Sequence, residues 1–209
     1  MASSFSAQIP GIIHLIGKLN PASVLDIGKG FGKYGFLIHE YAGIDNKKRI
    51  DHSLTLKELS SINIDAVEAD EDLMLPYLKD IYNNIYFGDV TKIFSTLPNY
   101  DLILMIDIIE HLDKNDAFAV LKYFLKNNCK LIIATPKEYF KQDLYESDFE
   151  NHVSHWTKND FNKLGNLDYQ YFDAGAVYLL TPDKTDIRGF GNSFIKKIRR
   201  IARSVRNEL

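Results

Sequence analysis

Residues 23–37, SVLDIGKGFGKYGFL, leave the backbone few ways to run. Val24, Leu25 and Ile27 read as a short buried strand, and Gly28, Gly30 and Gly32 follow it at alternate positions. A helix is expected from about Lys33 to residue 41. Glycines at such a bend let the backbone come close to a ligand, and the helix start offers N–H groups that have no partner within the helix. Asp26 adds an acid in the strand's last turn. A strand that enters a helix through a glycine loop is the opening unit of an open parallel sheet.

The remaining pattern agrees. An opening helix is expected at 10–19, stopped by Asn20-Pro21, and further strands at 64–67, 85–87, 101–106 and 130–135. DLILMI at 101–106 is apolar on successive residues, as a strand buried on both faces requires. Helical sequence is expected between Glu68 and Tyr82 and again at 114–127. The polar stretch 42–61 reads as an insertion carrying one short helix. Thr157 with Asp160 has the spacing of a capping box, opening a helix to about Leu164. Two last strands, 169–172 and 176–180, lack helical sequence between them and so form a hairpin turning at Gly175. Alternating strand and helix predict an α/β fold, doubly wound around a mostly parallel sheet.

With 209 residues and no repeat or low-complexity linker, one domain over 1–190 is expected, followed by a basic segment, 191–209. A net charge of −3 argues against a chain that is basic throughout. Its single cysteine, Cys129, excludes an internal disulfide and suits a reducing cytosol. Cys129 begins an apolar strand and reads as core. No apolar run approaches membrane-spanning length, and the N-terminus lacks the order of a signal peptide, so cytoplasmic residence is expected.

Two registers compete for the glycine loop. Gly30, Gly32 and Gly35 spell GxGxxG, the dinucleotide fingerprint, but there the first glycine should follow the strand directly. An acid should also appear some twenty positions on, which here falls inside the polar insertion. In the other register, Asp26, Gly28, Gly30 and Gly32 make this chain resemble the class I S-adenosylmethionine-dependent methyltransferases of small bacterial type. IDAVEAD at 64–70, NIYFGDV at 84–90, DLILMIDIIEHL at 101–112 and HVSHWTKNDF at 152–161 resemble further segments of that family, in the same order.

The resemblance implies a Rossmann-like sheet of seven strands, helices on both faces and one antiparallel edge strand. It implies S-adenosylmethionine as methyl donor, with S-adenosylhomocysteine as product. The donor residues it implies are Asp26, Gly28, Lys29, Gly30, Gly32, Glu68 for the ribose hydroxyls, Asp89 and Val90 for the adenine, and Asp107. Charge supports the assignment independently. Asp26, Glu68, Asp89 and Asp107 each fall at or just past a strand end, a rim that would repel a pyrophosphate and suits a sulfonium. Lys29 departs from the small residue usual there; it either leaves the loop or meets the donor's carboxylate, as Lys33 would at the helix start.

Each assignment has a plainer rival. Asp26 can brace the loop, Asp89 can cap the next turn, Asp70, Glu71 and Asp72 compete with Glu68, and Asp101 simply starts a strand. Glu110-His111 leaves the fourth strand on the side facing the methyl group; a base role for His111 competes with a structural one. On the acceptor side stand Asp107, His111, His152, His155 and Trp156, with Asp107, His111 and His155 as catalytic candidates. For the 152–156 stretch, a loop anchored by Trp156 serves equally well. Spacing alone supports no metal site.

The segment 193–209 spaces Phe194, Ile195, Ile198, Ile201 and Val205 helically among Lys196, Lys197, Arg199, Arg200, Arg203 and Arg206. Such a helix suits peripheral contact with the inner face of a membrane, or packs on the domain. Scarce aromatic interleaving and few other basic patches argue against nucleic acid as a partner. The expected reaction is methyl transfer to a small-molecule or glycan acceptor. A non-catalytic methyltransferase-like binding module and an NAD-dependent oxidoreductase are the alternatives.

Overall fold

The computed structural model describes residues 5–44, 53–139, 151–173 and 175–183. Helix α1 (Ile9–Leu19) has Pro10 in its first turn, where a missing N–H costs nothing. It buries Ile12, Leu15 and Ile16 at helical spacing and ends on Asn20, left-handed at φ 46°, just before Pro21. Strand β1 (Ser23–Ile27) and α2 (Lys33–Ile38) flank the glycine loop. Next come α3 (Leu56–Leu59), β2 (Asn63–Glu68), β3 (Ile85–Phe87), α4 (Val90–Ile93) and β4 (Leu102–Ile106). The chain continues through α5 (Lys114–Lys126), β5 (Lys130–Pro136), α6 (Lys158–Phe161), β6 (Asn166–Tyr171) and β7 (Gly175–Thr181).

The seven strands form one sheet in the order β3-β2-β1-β4-β5-β7-β6. Strands β1 to β5 pair in parallel, whereas β7 is antiparallel to both of its neighbours. Every residue of β4 is buried. Its side chains alternate between two cores: Leu102, Leu104 and Ile106 join α1 and α2, while Ile103 and Met105 join α5. A strand covered on both faces therefore reads as a continuous apolar run. At the opposite end of the sheet, the Asp101 carboxylate accepts from Ala22 N (2.8 Å) and Ser23 N (3.1 Å), tying β4 to β1. That is the structural role expected for Asp101.

Three expectations shift. The segment before Tyr82 is not a helix but two 3-10 turns, Glu71–Leu73 and Pro76–Asp80. Pro76 removes the donor a continuous helix would need, and the Asp70 side chain takes the N–H of Asp72 for a local turn. The helix after the glycine loop is regular only to Ile38 and widens into a π turn over His39–Gly43. The antiparallel strand is not at the edge: β7 lies between β5 and β6, because a short hairpin forces β6 back alongside it. The tail helix, the end of the first domain at residue 190 and part of the polar insertion lie outside the described residues. Among the described residues, no helix is long and apolar enough to cross a membrane.

Candidate active site

Strand β1 pairs with β2 on one side and β4 on the other, so strand order reverses there. In an open α/β sheet this is where a crevice forms beyond the carboxyl ends of the strands. The glycine loop lies over it. Gly28, Gly30 and Gly32 have φ of 72°, 49° and 79°, which favours glycine at each. A Cβ at Gly28 would run into Ile108, and one at Gly32 would lie 2.6 Å from Leu78. Backbone conformation and close packing both hold the loop to these residues.

The expected donor carboxylates occupy the rim but are differently engaged. Asp26 is buried and accepts from the Tyr82 hydroxyl at 2.6 Å. Burial raises its carboxyl to about 6, against the opposing pull of the Tyr82 hydrogen bond. Tyr82 reaches it because Gly35 has no side chain; a Cβ there would sit 2.6 Å from the Tyr82 ring. The last glycine of the apparent GxGxxG therefore serves packing. Glu68 folds back on the loop, where Oε2 accepts from Gly30 N at 3.0 Å and Oε1 from Ala69 N at 2.9 Å. The Lys29 side chain is wholly buried, with Nζ 3.9 Å from Glu68 and donating to Leu73 O at 3.0 Å. Lys29 thus leaves the loop face and turns beneath it; burial lowers its ammonium, opposed by Glu68.

Asp89 caps α4, accepting from Thr91 N (2.9 Å) and Thr91 Oγ1 (2.7 Å), and Val90 behind it is buried. Burial would raise its carboxyl, but the Thr91 bonds and Lys92 outweigh that and hold it below the usual range.

A second group of polar residues gathers past the end of β4. Asp107 is left-handed at φ 53°, a conformation uncommon outside glycine and found where surrounding structure imposes it. Both of its carboxylate oxygens are buried without a hydrogen-bond partner. Burial raises it to about 6, partly countered by the nearby Phe5 backbone and Lys33 ammonium. Both Glu110 oxygens are likewise buried and unpartnered. Burial and then the charge of Asp107 raise that carboxyl to about 8, despite a nearby Thr135 hydroxyl.

The stretch from Asn151 to Trp156 is pinned to this turn. Val153 N and Ser154 N both donate to Glu110 O, at 2.9 and 3.0 Å. The Trp156 indole donates to Ile109 O at 3.1 Å and its ring stacks on Phe161. Trp156 is therefore a buried anchor, not an acceptor-side residue. This clamp brings His152 against His111, ring centroids 4.8 Å apart. His111 Nδ1 lies 3.1 Å from Asn151 O; a carbonyl only accepts, so Nδ1 carries a hydrogen. His155 is held apart, with Nε2 3.0 Å from Lys137 O.

Glu110, His111 and His152 each present a ligand atom within 4.8 Å of the others. A carboxylate with two imidazoles suits a transition-metal or zinc-like divalent cation. Such an ion would also satisfy the orphaned Glu110 carboxylate. Sequence spacing could not find this group, since more than forty residues separate His152 from the pair.

Of the eight buried side-chain polar atoms without a partner among the described residues, seven belong to Gln8, Asp107, Glu110 and Asn151. Buried polar groups in native proteins are almost always satisfied, so each of these side chains calls for a partner. Gln8 and Asn151 carried no sequence signal.

No protein-family profile matches the chain. The small RNA 2'-O-methyltransferase of Mus musculus is 26% identical over 162 residues, which is 70% of this chain and 38% of that protein. The Rattus norvegicus protein of the same name matches to the same extent. The chain thus spans well under half the length of these curated relatives. Among solved structures, the methyltransferase domain of bacterial CtHen1 superposes with a TM-score of 0.54 at 18% identity, covering 84% of this chain and 97% of that one. A SAM-dependent methyltransferase of Archaeoglobus fulgidus gives 0.55 at 18% identity, over 80% and 73%. The fold is that of the class I S-adenosylmethionine-dependent methyltransferases. The relatives named for small RNA overturn the expectation that spoke against nucleic acid as a partner. Charge composition is a weak guide to such a partner, because nucleic-acid contacts can be local and need no basic patch over a whole chain.

Proposed function

We propose that this chain transfers the methyl group of S-adenosylmethionine to a hydroxyl of RNA. The observation that carries the reading is the cluster of buried, unpartnered carboxylates beyond β4, Asp107 and Glu110, next to a glycine loop at the strand-order reversal. The methyltransferase fold supports the choice of donor, and the relatives named for small RNA support RNA as the acceptor.

The donor lies over β1 and β2, against the glycine loop, with Glu68 toward its ribose and Asp89-Val90 toward its adenine. Its positive sulfonium faces the acidic rim, which stabilises it electrostatically. The acceptor lies over β4 and β5. Its oxygen attacks the methyl carbon in line with the C–S bond, whose electron pair stays on sulfur as S-adenosylhomocysteine forms. The protein's main contribution is alignment and exclusion of water. Asp107 takes the hydroxyl proton; a carboxyl raised to about 6 is ionised yet basic at neutral pH. Glu110, His111 and His152 would hold a divalent cation, which supplies Lewis acidity that makes the hydroxyl more acidic. Asn151 O, 3.1 Å from His111 Nδ1, orients that ring.

Transfer of radiolabelled methyl from S-adenosylmethionine to short single-stranded RNA tests the reading. The wild type labels the RNA; Asp107→Asn lowers the rate by at least about a hundredfold, the usual worth of a general base, and His111→Ala lowers it by removing a residue that would hold the cation. Absence of label on RNA, with the donor bound normally in calorimetry, removes the RNA reading.

A further inference from the structure

The turn formed by Ser6–Gln8 packs against β7 and leaves one residue without a structural purpose. Gln8 is fully buried, and neither its amide nitrogen nor its amide oxygen has a hydrogen-bond partner. It precedes α1 at the N-cap position, yet its side chain makes no capping bond. Its place is nevertheless held tightly. Gly175, opposite Pro136 in the β5–β7 pairing, has no side chain, and a Cβ there would collide with Gln8 Nε2 and lie 3.1 Å from Thr135 O. A buried amide without a partner costs stability that nothing in the free protein returns.

The neighbourhood points to a ligand. The backbone N–H of Phe5, at the start of the same turn, points to the buried Asp107 carboxylate and favours its charged form. Asp107 N donates to Ala134 O at 2.9 Å, one residue before Thr135. Gln8, through Gly175, and Asp107, through Ala134, thus both lie by the carboxyl end of β5. The donor cradle lies across β4, over β1 and β2, so Gln8 is placed on the acceptor side. An amide offers a donor and an acceptor together, which matches a hydroxyl or a base edge and discriminates against apolar groups.

We propose that Gln8 binds the methyl acceptor, its amide hydrogen-bonding a polar group of the RNA next to the oxygen that Asp107 deprotonates. This rests on the methyl-transfer reading above. The test compares wild type, Gln8→Leu and Gln8→Met in three measurements on the full chain. These are the melting temperature of the free protein, calorimetric binding of S-adenosylmethionine, and fluorescence anisotropy of a short single-stranded RNA with S-adenosylhomocysteine present.

Removing an unpartnered amide leaves the melting temperature unchanged or raises it. Donor affinity stays within about twofold, and RNA affinity falls about tenfold, the loss of one well-made hydrogen-bonded group. Both variants melting lower or failing to fold shows a structural amide and overturns the inference. Unchanged RNA affinity, or lost donor affinity, overturns it too. A wild type that binds the donor but no RNA overturns it while leaving the donor reading intact; a wild type that binds no donor removes both.

Discussion

At the scale of single residues, burial of charge dominates this protein. Asp26 titrates near 6 in the folded chain against 3.8 ordinarily, chiefly because it is buried. Below about pH 4 it is protonated whether the chain is folded or not. As pH rises from about 4 to about 6, the unfolded chain loses this proton first and the folded state binds more. Stability therefore falls across that window and stays lower above it, by on the order of 3 kcal/mol. Asp26→Asn keeps an acceptor for Tyr82 and removes the titration. Urea melts should show the variant equal to wild type in acid and more stable at pH 8; equal stability at both would refute the burial account. The position of Asp26 was legible from the strand-glycine spacing, but its partner was not. Tyr82 lies 56 residues away, and nothing local marks it as a donor. Lys29 is the converse case. Its oddity was plain in the sequence, but only the fold shows it turned under the loop toward Glu68 and Leu73.

Single elements were read most securely where one pattern governed them. The apolar run of β4 and the Thr157–Asp160 capping box form as expected, with Thr157 N donating to Asp160 at 2.9 Å. Reading failed where chain punctuation competed with periodicity, as in the turns around Pro76. Helix α2 shows how an element's composition is set by its neighbour. Gly35 weakens the helix by its propensity, yet its empty side lets Tyr82 and Ile81 pack at van der Waals distance. Gly35→Ala would gain helix propensity and lose more through overpacking. A net loss of about 1–3 kcal/mol is expected, with the Asp26–Tyr82 contact displaced. Thermal melting and the ultraviolet signature of Tyr82 in wild type and variant check this, and a stabilised variant contradicts the packing described.

Across the whole molecule, the acceptor side is assembled from distant parts of the chain: the turn at Gln8, the exit of β4 at Asp107–His111, and the stretch from Asn151 to Trp156. A divalent cation held by Glu110, His111 and His152 would tie two of these together and stabilise the fold by mass action. Zinc or manganese should raise the melting temperature of wild type and leave that of His152→Ala unchanged. An equal shift in both would place the ion elsewhere. The sequence by itself determined the α/β class, the order of strands and helices and the glycine loop. Those depend on local periodicity and on backbone conformations that few residues adopt. Only the tertiary structure decided that β7 lies inside β6, that Trp156 is an anchor, and that Gln8, Asp107, Glu110 and Asn151 keep buried polar atoms without partners. Which buried polar atoms lack partners is set by contacts that no sequence interval encodes.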